Sequence, residues 1–176
     1  MQQLQWLLKE TKQRRLILTQ HLPDVDLDRE DNNMSDEEWL KQAAPLLNAS
    51  IFGATLLARS DASPSMVFHV SDALAIAIEE SEVQADWRDA KMYIPPAASW
   101  MIIAGDKLYR YSNGQRDPKA PLASSHSLWN GENKFSLERW SFWKRRFLEL
   151  AEVASFDDET QGFAAKAAAR MTEIEA

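Results

Sequence analysis

Apolar side chains recur along this chain at three- and four-residue steps, and no run alternates long enough to make a persuasive strand, so helices are expected throughout. Leu4, Leu7, Leu8, Thr11, Leu18 and Leu22 mark a first helix over residues 2–22, with Arg14 and Arg15 interrupting the stripe. Ser35 fits an N-cap, and Asp36, Glu37 and Glu38 suit the positive end of the helix that follows. Trp39, Ala43, Leu47, Ile51 (or Ser50), Ala54 and Leu57 hold phase across Pro45, which predicts one helix kinked at that proline. After a turn at Ser60–Pro64, Met66, Val67, Val70, Leu74, Ala77 and Ile78 predict a third helix of about 15 residues. A short helix over Glu82–Lys91, with Val83, Trp87 and Ala90 inward, leads into the next segment.

Between Ala97 and Ala104 only Ser99 is not apolar, so a helix here must be covered from every side. It is far short of the roughly 20 residues that span a bilayer, and it predicts a buried central helix instead. Pro95 and Pro96 suit its first turn, and Gly105 reads as a close approach rather than an end, because Leu108 and Tyr109 continue the phase. A long loop is expected over 112–135, with Leu128 and Trp129 tacking it to the core and Asn113–Gly114 as a candidate hairpin turn. Ser136 then caps a helix bearing Trp140, Trp143, Phe147, Leu150 and Ala154, and Asp157 or Asp158 caps another bearing Thr160, Ala164, Ala167, Met171 and Ile174. Their short link predicts an antiparallel helical hairpin, alanines against aromatics. The expected architecture is all-α, a single-domain helical bundle over residues 1–176 around a central apolar helix, ending in that hairpin.

Charge changes this picture in one place. Residues 24–38 hold eight acids and one base, which equals the whole net charge of −7. An acidic loop is therefore expected at 23–34, and no basic footprint for nucleic acid is present. Asp24, Asp26 and Asp28 resemble the start of a calcium loop, but Arg29 stands where its glycine belongs and Ser35 where its closing glutamate belongs. With no cysteine there are no disulfides, thiolate metal sites or cysteine nucleophiles. The absence of a basic segment before an apolar run at the start suits an intracellular, cytoplasmic protein with no membrane partner.

Two blocks carry a family resemblance. Pro96-Ala-Ala-Ser-Trp-Met-Ile-Ile-Ala-Gly-Asp-Lys-Leu-Tyr109 is one; Trp140-Ser-Phe-Trp-Lys-Arg-Arg-Phe147, followed by Asp158–Thr160 and Ala164–Met171, is the other. Together they resemble a family of uncharacterised, all-helical proteins of filamentous fungi known as a domain of unknown function, over roughly the C-terminal half and weakly at Asn48–Phe52. The resemblance implies a helical, intracellular fungal protein, with specialised metabolism as one setting, and brings no catalytic residues.

The candidate chemistry is sparse. His69 and Asp72 are one turn apart, where a carboxylate can orient an imidazole, but Glu79 and Glu80 are too far along to complete a metal site, and none is assigned. His21 falls at a helix end and His126 in the long loop. No Gly-x-Ser-x-Gly turn or glycine-rich phosphate cradle occurs, and no cofactor is expected. Seven tryptophans either fill the core or line an apolar cavity between helices. Buried indole N–H groups need partners, and Arg139, Arg145 and Arg146 are candidates for a polar rim, with a solvated basic face the better fit for the last two. Two functions follow. The first is binding of an apolar small molecule, as in a cofactor-free cyclase or isomerase, with Tyr93, Trp100, Tyr109, Trp140 and His69 as ligand-binding candidates. The alternative is a non-catalytic protein–protein interaction module working through one of the loops.

Overall fold

The computed structural model describes residues 35–59, 64–80, 86–114 and 127–176. The expected first helix, the acidic loop, His21 and His126 lie outside the described residues. The rest, Asp36–Ala176, forms one unit of five α-helices without a named strand among the described residues. They are α1 (Asp36–Arg59), α2 (Pro64–Leu74), α3 (Trp87–Ser112), α4 (Leu137–Ala151) and α5 (Asp158–Glu175). A single π-helical turn, Ala75–Glu79, extends α2. The all-α expectation is met.

Helix α3 is the axis, touching α1, α2, the π turn, α4 and α5. Residues 94–101 are buried without a break, as a segment apolar on all sides requires. Its one polar member, Ser99, is satisfied because its Oγ donates to the Pro95 carbonyl at 2.9 Å. The helix is longer than its apolar run implies. It starts at Trp87, with the Asp86 carboxylate accepting from the Arg88 amide at 2.8 Å, and passes through Pro95 and Pro96. The two prolines are therefore eight residues inside the helix rather than at its start. Packing all around this stretch offsets the two ladder bonds they remove. Trp87, expected inward, is 43% exposed, since the cap places it in a first turn that faces solvent. Gly105 is passed without interruption and faces Ile174 of α5, the close approach its phase implied.

Helix α1 runs unbroken through Pro45 and buries Ser50, Ala54 and Leu57, which settles the Ile51-or-Ser50 alternative for Ser50. It lies so near α3 that a Cβ on Gly53 would stand 2.6 Å from Cη2 of Trp100. Only a residue without a side chain lets that indole lie against the α1 backbone.

Helices α4 and α5 form the antiparallel hairpin. Trp140 and Lys144, early in α4, reach Glu175 at the end of α5, while Gln161, early in α5, donates to the Val153 carbonyl in the link. Ser136 caps α4 and Asp157 caps α5, their side-chain oxygens accepting from Arg139 and Thr160 amides. Helix α4 ends at Ala151, so Ala154 is an exposed link residue and not part of the seam. Trp140 packs edge-on to Tyr109 (centroids 5.1 Å apart), Trp143 turns the other way onto Phe135 (5.6 Å), and Trp100 faces α1. At helical spacing, positions 140 and 143 are about 60° apart, enough to reach different neighbours.

Candidate functional site

An acid sits at the end of α2 where an apolar residue is expected. The stripe Val67, Val70, Leu74, Ala77 and Ile78 is buried, and the π turn adds one residue per turn, which rotates Glu79 into the same interior. Glu79 and Arg139 are both 0% exposed. Oε1 of Glu79 accepts from Nε of Arg139 at 2.7 Å and Oε2 from Nη2 at 2.8 Å, a bidentate fork. Oε1 also accepts from the Trp143 indole N–H at 2.6 Å, and Oε2 from the Ser127 hydroxyl at 3.4 Å. The guanidinium donates once more, to Oδ1 of Asn133 at 3.2 Å, and lies between the rings of Trp143 and Trp129, 5.4 and 5.9 Å from their centroids. Two charges thus sit in the protein interior, with each carboxylate oxygen accepting two bonds and three guanidinium N–H groups donating.

This cluster carries the last part of the long loop on its outer side. The Leu128 amide donates to the Glu79 carbonyl at 2.6 Å, next to an isolated bridge between Glu80 and Ser127. The Trp129 amide donates to Ser127 Oγ at 3.1 Å, and its indole N–H to the Glu132 carbonyl at 3.0 Å. Its ring lies on the backbone at Gly131, where an added Cβ would meet it at 2.2 Å. Trp129 tacks the loop to the core as expected, whereas the Leu128 side chain stays 39% exposed and contributes through its backbone.

Between this loop and α4 opens a shallow surface cleft of about 510 Å³. Leu128, Trp129, Asn130, Gly131, Glu132 and Lys134 form the loop side; Glu138, Phe142 and Arg145 form the helix side. The three helix residues follow at i, i+4 and i+7, so they share one face. Trp129 and Phe142 make the apolar floor, with centroids 5.4 Å apart. The Arg145 guanidinium stands 5.6 Å over the Phe142 ring, and Lys134 pairs with Glu132 at 2.5 Å. The Lys134 ammonium holds the exposed Glu132 carboxyl below its ordinary range. The cleft can receive a ring on its floor and meet polar groups at its rim.

The five residues singled out from sequence line none of this cleft. Tyr109 and Trp140 meet each other, and the Trp140 indole donates to Glu175 at 2.8 Å. Trp100 and the half-buried Tyr93 belong to the core around α3. His69 is exposed on α2; Asp72, one turn on and also at the surface, has its carboxyl raised by desolvation, with His69 acting in the opposite direction. The arginine rim is corrected as well. An arginine only donates and cannot satisfy an indole N–H, so the partners of Trp140 and Trp143 are carboxylates. Arg139 is buried, Arg145 is exposed, and half-buried Arg146 pairs with Glu149. Glu79 was hidden because its distance from His69 is counted in ordinary helical turns, which the π turn breaks. The Glu138–Phe142–Arg145 stripe was the one visible signal of the cleft. Among the described residues, no group of three or more His, Asp or Glu could hold a metal, and no helix is long and apolar enough to cross a membrane.

Fold and site together define an all-α protein with an aromatic-floored surface cleft braced by a buried ion pair. The chain belongs to the family described as protein of unknown function DUF3632, whose model matches residues 2–147. That span includes the acidic segment, which no residue resemblance had covered, and ends within α4, leaving α5 outside. No curated protein and no solved structure gives a significant match.

Proposed function

We propose that this protein binds a small molecule bearing an aromatic or apolar ring and an anionic group, in the cleft between the Trp129 loop and α4. The observation that carries the reading is the cleft itself. Trp129 and Phe142 give it an aromatic floor, and Glu132, Lys134, Glu138 and Arg145 place four charged groups around that floor. The residues that could have lined an internal cavity are instead packing partners, Trp100 on Gly53 and Trp140 on Tyr109. Arg145, 66% exposed beside Phe142, has its Nε 3.7 Å from Glu149 and its outer guanidinium nitrogens placed to meet an anion at the rim. The enzymatic form of the reading is a cofactor-free cyclisation or isomerisation of an apolar product of specialised metabolism, with Glu138 and Lys134 as the acid–base groups at hand.

The probe for this test is 8-anilinonaphthalene-1-sulfonate, a ring system with one anionic group. The natively folded protein is expected to give a saturable fluorescence enhancement with it. Arg145→Ala should weaken binding by roughly five- to tenfold, the net size of one ordinary hydrogen bond at an exposed site. No saturable enhancement, or one that Arg145→Ala leaves unchanged, contradicts the reading. The second reading, a protein–protein interaction module, is favoured by Ile51, Phe52 and Leu56, all exposed on α1, with Phe52 at 64%. It expects the probe to be lost with Phe52→Glu instead.

A further inference from the structure

We propose that Glu79, presented by the π turn, is a positioning residue that sets the Trp129 wall of the cleft through Arg139 and Ser127; this rests on the cleft being the ligand site. Three connections run from the carboxylate to the wall. Its fork holds the Arg139 guanidinium, which lies against the Trp129 ring at 5.9 Å. That guanidinium also donates to Asn133, fixing the far end of the same loop. Finally, Oε2 of Glu79 accepts from Ser127, whose Oγ in turn accepts from the Trp129 amide. The Glu79 carbonyl adds a fourth hold through Leu128.

A purely structural role does not account for this arrangement. A buried ion pair is a poor source of stability, since apolar residues of similar volume usually serve as well. A π turn is costly relative to a regular helix and occurs often at functional sites. Both features are explained by geometry. A planar fork facing a planar carboxylate has one orientation, so it presents a fixed cation to the Trp129 ring 5.9 Å away. The wall residue of a binding cleft needs that support, because residues 127–136, the described part of its loop, form no helix or named strand.

The test uses the full chain labelled with 5-fluorotryptophan, the Trp129 resonance being assigned by its loss in Trp129→Phe. The variant is Glu79→Gln combined with Arg139→Met. The amide oxygen still accepts from Trp143 and no buried charge is left alone, so the fold is expected to persist. The Trp129 fluorine resonance should then move towards its position in the denatured chain, and 8-anilinonaphthalene-1-sulfonate should bind about tenfold more weakly, as expected when a site loses its supporting shell. If the double variant does not fold, Ser127→Ala leaves the buried pair intact and should shift the same resonance in the same direction. A Trp129 resonance unmoved in the folded variant overturns the proposal. The resonance is read without ligand, so a wild-type protein that does not bind the probe removes the proposed function while still leaving the positioning claim decided.

Discussion

Arg139 and Glu79 make the sharpest energetic statement about individual residues. With both side chains fully buried, removing one partner strands the other charge away from water. Arg139→Met alone should therefore cost about 3–5 kcal/mol in chemical denaturation, while the double variant with Glu79→Gln should be close to wild type. A single substitution as mild as the double one would mean that water reaches the pair. Trp100 is the corresponding apolar case. Its ring is 95% buried between α3 and Gly53, so Trp100→Ala should cost about 3–5 kcal/mol. Gly53→Ala gains helix propensity of about 1 kcal/mol but drives a methyl into a ring held by the core, and a net loss of about 1–3 kcal/mol is expected. A stabilised Gly53→Ala protein would show that the indole has room to move.

Among the elements, those with uninterrupted periodicity were legible in sequence. The C-terminal hairpin was read with Ser136 as one cap and Asp157 or Asp158 as the other, because these residues precede clean three-and-four stripes and cap chemistry is local. The extent of α3 was not legible, since Pro95–Pro96 is a local signal for a helix start and only packing from all sides overrides it. The π turn was also hidden, because one added residue leaves no mark in a stripe of alanines and isoleucines. A pH effect belongs at the start of α5. Burial works to raise the Asp157 carboxyl, but the Lys91 ammonium at 2.6 Å and the Thr160 amide prevail and hold it below its ordinary value. A depressed carboxyl adds stability above its unfolded-state pKa of about 3.9, and that stability fades as pH falls through the lower folded value. Asp157→Ala should cost about 1 kcal/mol at pH 7, and this difference from wild type should shrink steadily below pH ~4. A difference that is constant down to the lowest pH tolerated would remove the charge from the explanation.

For the molecule as a whole, the central helix was legible in the sequence, whereas no local pattern marked the whole cleft. An apolar segment needing cover on all sides is a global constraint written locally, and α3 indeed touches the four other helices. The cleft is different. Its floor joins Trp129 of a loop to Phe142 of a helix, and its brace joins residues 60 and 64 positions apart, so no local pattern announces either. Trp100, Trp140 and Trp143 lie in the core, one of the two placements the sequence left open for its tryptophans. On the proposed reading, the ligand surface is where α4 turns its Glu138–Phe142–Arg145 face to the loop.

The most direct test of that claim is a titration of the 15N-labelled full chain with 8-anilinonaphthalene-1-sulfonate, followed by amide chemical shifts. The account predicts saturable shifts confined to residues 128–134 and to Glu138, Phe142 and Arg145, with the amides around Trp100 and Phe52 unmoved. Shifts centred on Phe52 of α1, or on the interior around Trp100 and Tyr109, would contradict it.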